Sequence, residues 1–260
     1  TSPAVPGAPA GTAPRGSSRL LVLLGAVAAA PTVLGLLVGL VVGVPVIGLL
    51  VGLVIGLAVV ALAWWRAEPL TLSLTGARPA DPVEHARLLN LLDGLCAASG
   101  LTRPAAFVVA DAAPNALALG RSPRSAAVVV TEGLLAQLRR VELEAVLAHE
   151  LSHVKDGATA LRTVAVPLIG VPATVLPAGP AGRLRHWVVG EAEAPADLAA
   201  VAITRYPPGL ASALEVVAST GGRVATPPAV AHLWLAPPLG AFPASPGEGL
   251  PERVAFLREL

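Results

Sequence analysis

Residues 149–153 carry the side chains whose types and spacing could do chemistry, and they read His-Glu-Leu-Ser-His. Positions four apart lie on one face of a helix, so the His149 and His153 imidazoles could bind the same zinc ion. Glu150 lies beside His149 and points partly to the same side, where it could take a proton from a water that zinc activates. Because zinc lowers the pKa of water toward neutrality, this pattern predicts a zinc-dependent hydrolase.

An ordinary helix could carry the same two histidines in polar contacts, so the surrounding sequence matters. Apolar residues recur at helical spacing from Val141 to about Arg162, which predicts a helix with residues 149–153 in its middle. A catalytic zinc ion usually has three protein ligands and one position open to water. The third ligand must therefore come from another part of the chain.

Leu20–Trp65 is an uncharged, apolar stretch about twice as long as the roughly 20 residues that one membrane crossing needs. We predict a hairpin of two transmembrane helices. Its glycines form two ladders of four-residue spacing, one at residues 35, 39 and 43 and the other at residues 48, 52 and 56. In an antiparallel hairpin, residue 35 would face 56, 39 would face 52 and 43 would face 48, each pair at the same depth in the membrane. Pro45 lies near the centre of this symmetry, where we expect the turn.

The charges around the predicted hairpin indicate its orientation. Arg15 and Arg19 precede it, Arg66 follows it, and the turn carries no charge. The positive-inside rule then predicts an integral cell membrane protein, embedded in the lipid bilayer, with its catalytic domain on the cytoplasmic side. Residues 1–19, rich in Pro, Gly, Ala and Ser, are predicted to be a disordered tail, and the hairpin is expected over residues 20–66.

The composition excludes several classes of protein. Apolar residues make up 54% of the 260 and charged residues 13%, so the chain as a whole is not disordered. Lys and Arg number 18 against 17 Asp and Glu, with no basic run, so we expect no nucleic-acid partner. The single cysteine, Cys96, cannot form a disulfide within the chain and excludes cysteine-rich structural zinc sites.

Residues 67–260 predict a compact α+β domain that is mainly helical and contains a small β-sheet. The apolar run Ala105–Ala110 predicts one strand, and Ala116–Leu119 with Ala126–Thr131 predicts a β-hairpin. The apolar pattern of Pro82–Ala98 predicts a helix.

Further motifs carry a family resemblance over roughly residues 80–260. Glu193 to Asp197 read Glu-Ala-Pro-Ala-Asp, which fits an ExxAD pattern, and a Pro-Asn-Ala segment at Asn115 precedes the predicted active-site helix. Together with HExxH and the N-terminal hairpin, these motifs resemble the HtpX-like and CAAX prenyl endopeptidase family of integral-membrane zinc metalloproteases, of the gluzincin type. The resemblance implies a zincin-like metallopeptidase domain that acts on protein or peptide substrates.

The resemblance also implies roles for particular side chains. His149, His153 and Glu193 would bind one Zn²⁺ per chain. Glu150 would act as the general base and then protonate the leaving amine. Asp197, one helical turn beyond Glu193, would hold the free ring nitrogen of a histidine.

Three other residues have less specific roles in this resemblance. Asp156 is a second candidate for supporting a histidine. Asn115 is a candidate substrate contact, and either Asn115–Ala118 or Ala126–Thr131 would be the edge strand on which an extended substrate pairs. Arg253 would contact the transition state or, alternatively, form a salt bridge with a nearby acid.

Two positions depart from the family pattern. The family often has a histidine six residues before the arginine that matches Arg253, where this chain has Gly247. Pro195 lies inside the ExxAD pattern, and proline is tolerated in the first turn of a helix but not in its interior. We therefore expect Glu193 at or just before a helix start, with Glu191 as the alternative ligand if Pro195 displaces it.

Thr163–Gly182 is a second uncharged stretch, long enough for one crossing of a bilayer. A single crossing would put His149 and Glu193 on opposite sides of the membrane, and four prolines argue against a straight helix. We expect a membrane-contacting loop, a short broken helical hairpin or a cover over the active site.

These patterns predict a membrane-anchored zinc endopeptidase that hydrolyses peptide bonds through a zinc-activated water, with Glu150 as the base. The resemblance further suggests a role in membrane protein quality control. The alternatives are a metal-binding but catalytically inactive membrane scaffold, and a structural or transport membrane protein with a chance motif. The sequence predicts neither the natural substrate nor the oligomeric state.

Overall fold

Two long antiparallel helices form the N-terminal part of the protein. Helix α1 spans Arg15–Val42 and helix α2 spans Pro45–Thr75. Both are long and apolar enough to cross a membrane, and most of their leucine, valine and isoleucine side chains are exposed. An exposed apolar surface of this extent suits contact with lipid. The computed structural model describes residues 15–172, 193–220, 224–237 and 249–260.

The helices extend beyond both predicted limits of the hairpin. Residues 15–19, expected in a disordered tail, form the first turn of α1, while residues 1–14 lie outside the described part of the chain. Helix α2 continues past residue 66 to Thr75 and ends at Gly76, whose φ of 67° is the left-handed conformation that commonly closes a helix. The last turns of α2 contact the following domain, because Leu70, Leu72 and Leu74 pack against a buried cluster that includes residues of the sheet.

The glycine ladders of α1 and α2 meet as expected, but in a different register. A Cβ atom added at Gly35 would clash with the backbone of Gly48, whereas the predicted partner of Gly35 was Gly56. The predicted pairing required a turn at Pro45. The turn is instead made by the two residues before Pro45, which is already the first residue of α2. The first of these two, Gly43, has a φ of 84°, which glycine adopts without strain.

Four strands form one mixed sheet: β1 (Arg78–Pro79), β2 (Ala105–Val109), β3 (Ala116–Leu119) and β4 (Ala127–Thr131). Their order is β1-β2-β4-β3, with β2 and β4 parallel and the other two pairs antiparallel. β3 is therefore an edge strand. The alternative that Ala126–Thr131 forms the edge is wrong, because β4 has a neighbouring strand on both sides.

Helices pack on the sheet and on one another: α3 (Ala86–Ser99), α4 (Glu132–Gln137), α5 (Arg140–Lys155), α6 (Ala158–Ala165), α7 (Ala194–Thr204), α8 (Pro207–Ser219) and α9 (Leu250–Arg258). A π-helical turn, Val166–Gly170, extends α6. This architecture confirms the predicted fold class, a mainly helical α+β domain with a small sheet behind an N-terminal helical hairpin.

Helix α5 runs through the centre of the domain. Its Val146, Leu147 and Leu151 side chains are completely buried among residues of the sheet, α3 and α8. The helix stops before Gly157, which has a φ of 72°. The segment predicted as one helix up to Arg162 is therefore two helices, α5 and α6.

Helix α6 connects the centre of the domain to the hairpin. Leu161 and Ala165 pack with Leu23 of α1 in a small buried cluster. On another side of α6, the Thr163 hydroxyl accepts a hydrogen bond of 2.9 Å from the Gly120 N–H, at the end of β3. Helix α6 is therefore held between the hairpin and the sheet, and the positions of its side chains are fixed by both contacts.

Candidate metal centre

Helix α5 places two histidines side by side in the interior of the domain. His149 and His153 lie one helical turn apart and are 1% and 7% exposed. Their rings pack edge to face with centroids 4.8 Å apart, and their Nε2 atoms are 3.2 Å apart. The four-residue spacing therefore directs both ring nitrogens to one point.

Glu193 approaches this point from the start of helix α7. It is the N-cap residue of α7, and Pro195 lies in the first turn, where a missing backbone N–H breaks no helical hydrogen bond. Pro195 is therefore compatible with the placement of the carboxylate. Glu193 Oε2 lies 3.2 Å from the Nε2 atoms of both His149 and His153.

The three ligand atoms form a triangle, called the metal triangle below, whose sides are all 3.2 Å. A tetrahedral zinc ion with bonds of about 2.0–2.1 Å would separate its ligand atoms by about 3.3–3.4 Å. The triangle therefore fits one such ion and leaves a fourth position for water. Among the described residues, this is the group of His, Cys, Asp and Glu side chains close enough together to hold a metal.

Asp197 sets the orientation of His149. Its Oδ1 atom lies 2.8 Å from His149 Nδ1, and its side chain is completely buried. When the Nδ1–H donates to Asp197, the His149 Nε2 atom is directed at the metal position. A carboxylate that holds the second ring nitrogen is the usual support for a histidine ligand.

The two histidines differ in their protonation. Burial lowers the pKa of His149, but the hydrogen bonds to Asp197 and Glu193 outweigh it and raise the pKa to about 9. Burial and the Arg162 charge lower the pKa of His153 to about 4. A metal ion bound between the two rings would require the Nε2 atom of each histidine to be deprotonated.

Arg253 of helix α9 pairs with Asp197 in the interior. Its Nε and Nη2 atoms donate to the two carboxylate oxygens at 2.8 and 2.6 Å, and its side chain is 4% exposed. Burial raises the pKa of Asp197, but the hydrogen bonds from His149 and Arg253 lower it overall. The structure therefore contains the salt bridge considered for Arg253, while its contact with the transition state stays a prediction.

Arg162 of helix α6 is a site residue that the motif spacing does not reveal. Its Nη2 atom donates to Glu193 Oε1, the oxygen outside the metal triangle. Burial raises the pKa of Glu193, but the Arg162 guanidinium together with His153 and His149 outweighs this effect and brings the pKa well below its usual value. One sequence signal could have pointed to Arg162. It lies at the edge of an apolar segment, and an arginine buried in such surroundings requires an acidic partner.

Glu150 lies beside the metal triangle and is 2% exposed. Burial raises the pKa of its carboxyl to about 7, and the positive charges nearby oppose that rise. A carboxyl group with a pKa close to neutral can both accept and release a proton under physiological conditions. Its environment therefore suits the general base that the HExxH pattern predicts.

Two of the less specific candidates lie elsewhere. Asp156 is exposed at the C-terminal end of α5, away from the buried imidazole rings. Asn115 is completely buried, and its side chain donates to Ala236 O at 2.7 Å and accepts from Ala236 N at 3.1 Å. This amide holds the backbone near Ala236 against β3, and the substrate contact expected of Asn115 stays a prediction.

Some predictions concern residues outside the described part of the chain. These are the alternative ligand Glu191, the departure at Gly247, and residues 173–182 of the second uncharged stretch. The earlier part of that stretch completes α6 and its π-helical turn, as far as the residues that the structure describes.

Known proteins with similar sequences indicate the family of this chain. Residues 82–185 match Peptidase family M48. The protein "Protease HtpX homolog" of Dictyoglomus turgidum is 34% identical over 187 residues, which cover 60% of this chain and 62% of that protein. The protein of the same name from Thermoanaerobacter pseudethanolicus is 30% identical over 243 residues, covering 76% of this chain and 80% of that protein. The chain thus spans about three fifths of the Dictyoglomus relative and most of the Thermoanaerobacter one.

The likeness to the Thermoanaerobacter protein is not confined to the HExxH motif, and the chain has two helices that are long and apolar enough to cross a membrane. The chain belongs to the HtpX-like proteases of peptidase family M48. Membership of this family implies a metal cofactor. The family match ends at residue 185, so the assignment of Glu193 depends on the geometry of the metal triangle.

Proposed function

We propose that this protein is a membrane-anchored zinc endopeptidase that hydrolyses peptide bonds in protein substrates. The observation that carries the proposal is the metal triangle of His149, His153 and Glu193 beside the buried carboxyl of Glu150. Zinc is proposed because two imidazoles and one carboxylate are a common catalytic zinc ligand set. When bound, the ion would polarise the substrate carbonyl and lower the pKa of water.

The protein side chains then handle the protons and the orientation. Glu150, with a pKa raised to about 7 by burial, accepts a proton from the attacking water and returns it to the leaving amine. Asp197 keeps His149 in place, and Arg253 keeps Asp197 in place. Because these groups are already oriented by buried hydrogen bonds, little reorganisation is needed during the reaction.

The substrate backbone is proposed to pair with the edge strand β3. The Asn115 carbonyl accepts a backbone hydrogen bond from β4. In this antiparallel pair, the peptide groups of Ala116 and Ala118 therefore point away from β4, toward the open side of the edge strand. Ala116 O already accepts a hydrogen bond of 2.8 Å from Leu235 N. Ala118 packs with Val154, the residue after the second histidine, so its peptide group is the part of the edge that lies beside α5.

The catalytic domain is proposed to lie on the cytoplasmic side, close to the membrane surface. The domain contacts the arginine-flanked ends of α1 and α2, whereas the turn at residues 43–44 is uncharged and far along the hairpin. We take the hairpin as one unit and the chain after α2 as the metallopeptidase domain. Protein segments near the bilayer are then the expected substrates, which suits a role in membrane protein quality control.

The proposal is tested by comparing Glu150→Gln with the wild type in detergent micelles. Zinc content is measured together with casein cleavage. We expect the variant to keep its zinc and to lose cleavage by roughly 10²–10⁴-fold, because it has lost the general base. Glu144→Gln, on the same helix and outside the metal triangle, is the control and should cleave as the wild type does.

Equal cleavage by Glu150→Gln and the wild type would refute the assigned mechanism. Zinc binding without any cleavage by the wild type would refute the enzyme assignment and favour the inactive scaffold.

A further inference from the structure

The two oxygens of the Glu193 carboxylate have different partners. Oε2 lies 3.2 Å from the Nε2 atoms of His149 and His153. Oε1 accepts a hydrogen bond from Nη2 of Arg162. Only one oxygen of this third ligand is therefore directed at the metal position.

Arg162 is held in place by the structure around it. Its side chain is 9% exposed, and its backbone oxygen lies 3.0 Å from His232 Nε2. Its neighbour Leu161 packs against α1 in a buried cluster. A charge-assisted hydrogen bond in such surroundings is strong and directional, unlike an exposed salt bridge.

We propose that Arg162 is a positioning residue that restricts Glu193 to one ligand oxygen and so keeps a coordination position open for water and substrate. This inference rests on the proposed function. The two oxygens of a carboxylate share one carbon atom, so Oε1 would be the next oxygen to reach a bound cation if the guanidinium were removed. A second bond from Glu193 would fill the position that a catalytic zinc site keeps open.

The effect on metal affinity distinguishes this role from simple structural support. Loss of an ordinary supporting residue lowers metal affinity roughly 10–100-fold. Loss of Arg162 would instead remove a positive charge close to the dication and free another ligand atom, and both changes favour the metal. We therefore expect Arg162→Met to bind metal at least as tightly as the wild type while turning over more slowly.

The experiment uses the full chain in detergent micelles, loaded with Co²⁺ in place of zinc. The visible absorption of Co²⁺ is strong at four-coordinate sites and weakens as the coordination number rises. We expect strong absorption for the wild type and loss of most of it in Arg162→Met. In the zinc-loaded variant, kcat should fall roughly 10–100-fold with little change in KM.

Two further variants complete the test. Arg162→Lys should recover part of the absorption, because an ammonium group can pair with Oε1 but through a point charge rather than a planar fork. Arg121→Met removes a partly buried pair with Glu68 outside the metal triangle and should keep the wild-type spectrum and metal affinity.

Three outcomes would overturn the proposal. They are weak absorption in the wild type, an unchanged spectrum in Arg162→Met, and a metal dissociation constant in Arg162→Met at least tenfold above that of the wild type, roughly the loss expected of a supporting residue. If Arg162→Met does not fold, the spectra of the wild type and Arg162→Lys decide. A wild type that neither binds metal nor cleaves refutes the proposed function itself, whereas an active wild type with an unchanged Arg162→Met spectrum refutes only this inference.

Discussion

At the residue scale, the candidate site contains two carboxylates that are each paired with an arginine. Arg253 pairs with Asp197, and Arg162 pairs with Glu193. The spacing of the HExxH motif predicts the neighbouring histidines because both lie on one helix. Arg162 could not be predicted in the same way, since it reaches Glu193 from 31 positions away along the chain.

Replacement of Asp197 by asparagine tests the support of His149. The amide is neutral and leaves the buried Arg253 guanidinium without its ion pair, so we expect metal affinity to fall roughly 10–100-fold. Competition with a chromophoric chelator measures the dissociation constant. Asp93→Asn, in an exposed pair with Arg103, is the control and should bind metal as the wild type does. An unchanged dissociation constant in Asp197→Asn would contradict the assigned role.

At the element scale, local patterns predict which elements form but not where they end or how they pair. The helical period of α5 and the hairpin of β3 and β4 follow from short-range sequence. The break at Gly157 and the glycine register of the membrane hairpin depend on backbone geometry at a single turn. The strand Arg78–Pro79 is too short to carry a pattern and forms only because it pairs with β2.

The glycine contact between α1 and α2 can be tested with a matched pair of substitutions. Gly35→Val places a side chain against the backbone of Gly48, whereas Gly25→Val, on the same helix, meets open space. Overpacking of this kind typically costs about 1–3 kcal/mol. We expect a lower thermal midpoint in detergent for Gly35→Val and little change for Gly25→Val. Equal midpoints for the two variants would show that the helices do not pack through this face.

At the scale of the whole molecule, the hairpin and the domain are joined by specific contacts. Glu68, near the end of α2, accepts hydrogen bonds from Arg121 N at 2.8 Å and from the Ser125 hydroxyl at 2.8 Å, both on the β3–β4 connection. The domain end of α1 packs against α6. These contacts fix the position of the domain, and with it the metal triangle, relative to the membrane-facing helices.

The orientation across the membrane can be tested by cysteine labelling. Val44→Cys lies in the hairpin turn, and Val83→Cys lies on the domain, where Val83 is 86% exposed. The native Cys96 is buried and provides a low background. In intact cells, a membrane-impermeant maleimide should label Val44→Cys but should reach Val83→Cys only after permeabilisation. The opposite pattern would place the domain on the outer side.

The central claim is that His149, His153 and Glu193 bind one zinc ion, and zinc content tests it most directly. Purified wild-type protein should contain one zinc ion per chain. Glu193→Ala should lose most of that zinc, because it removes one of the three proposed ligands, whereas Glu191→Ala should keep it. Full zinc occupancy in Glu193→Ala, or a larger loss in Glu191→Ala, would contradict the ligand set proposed for this protein.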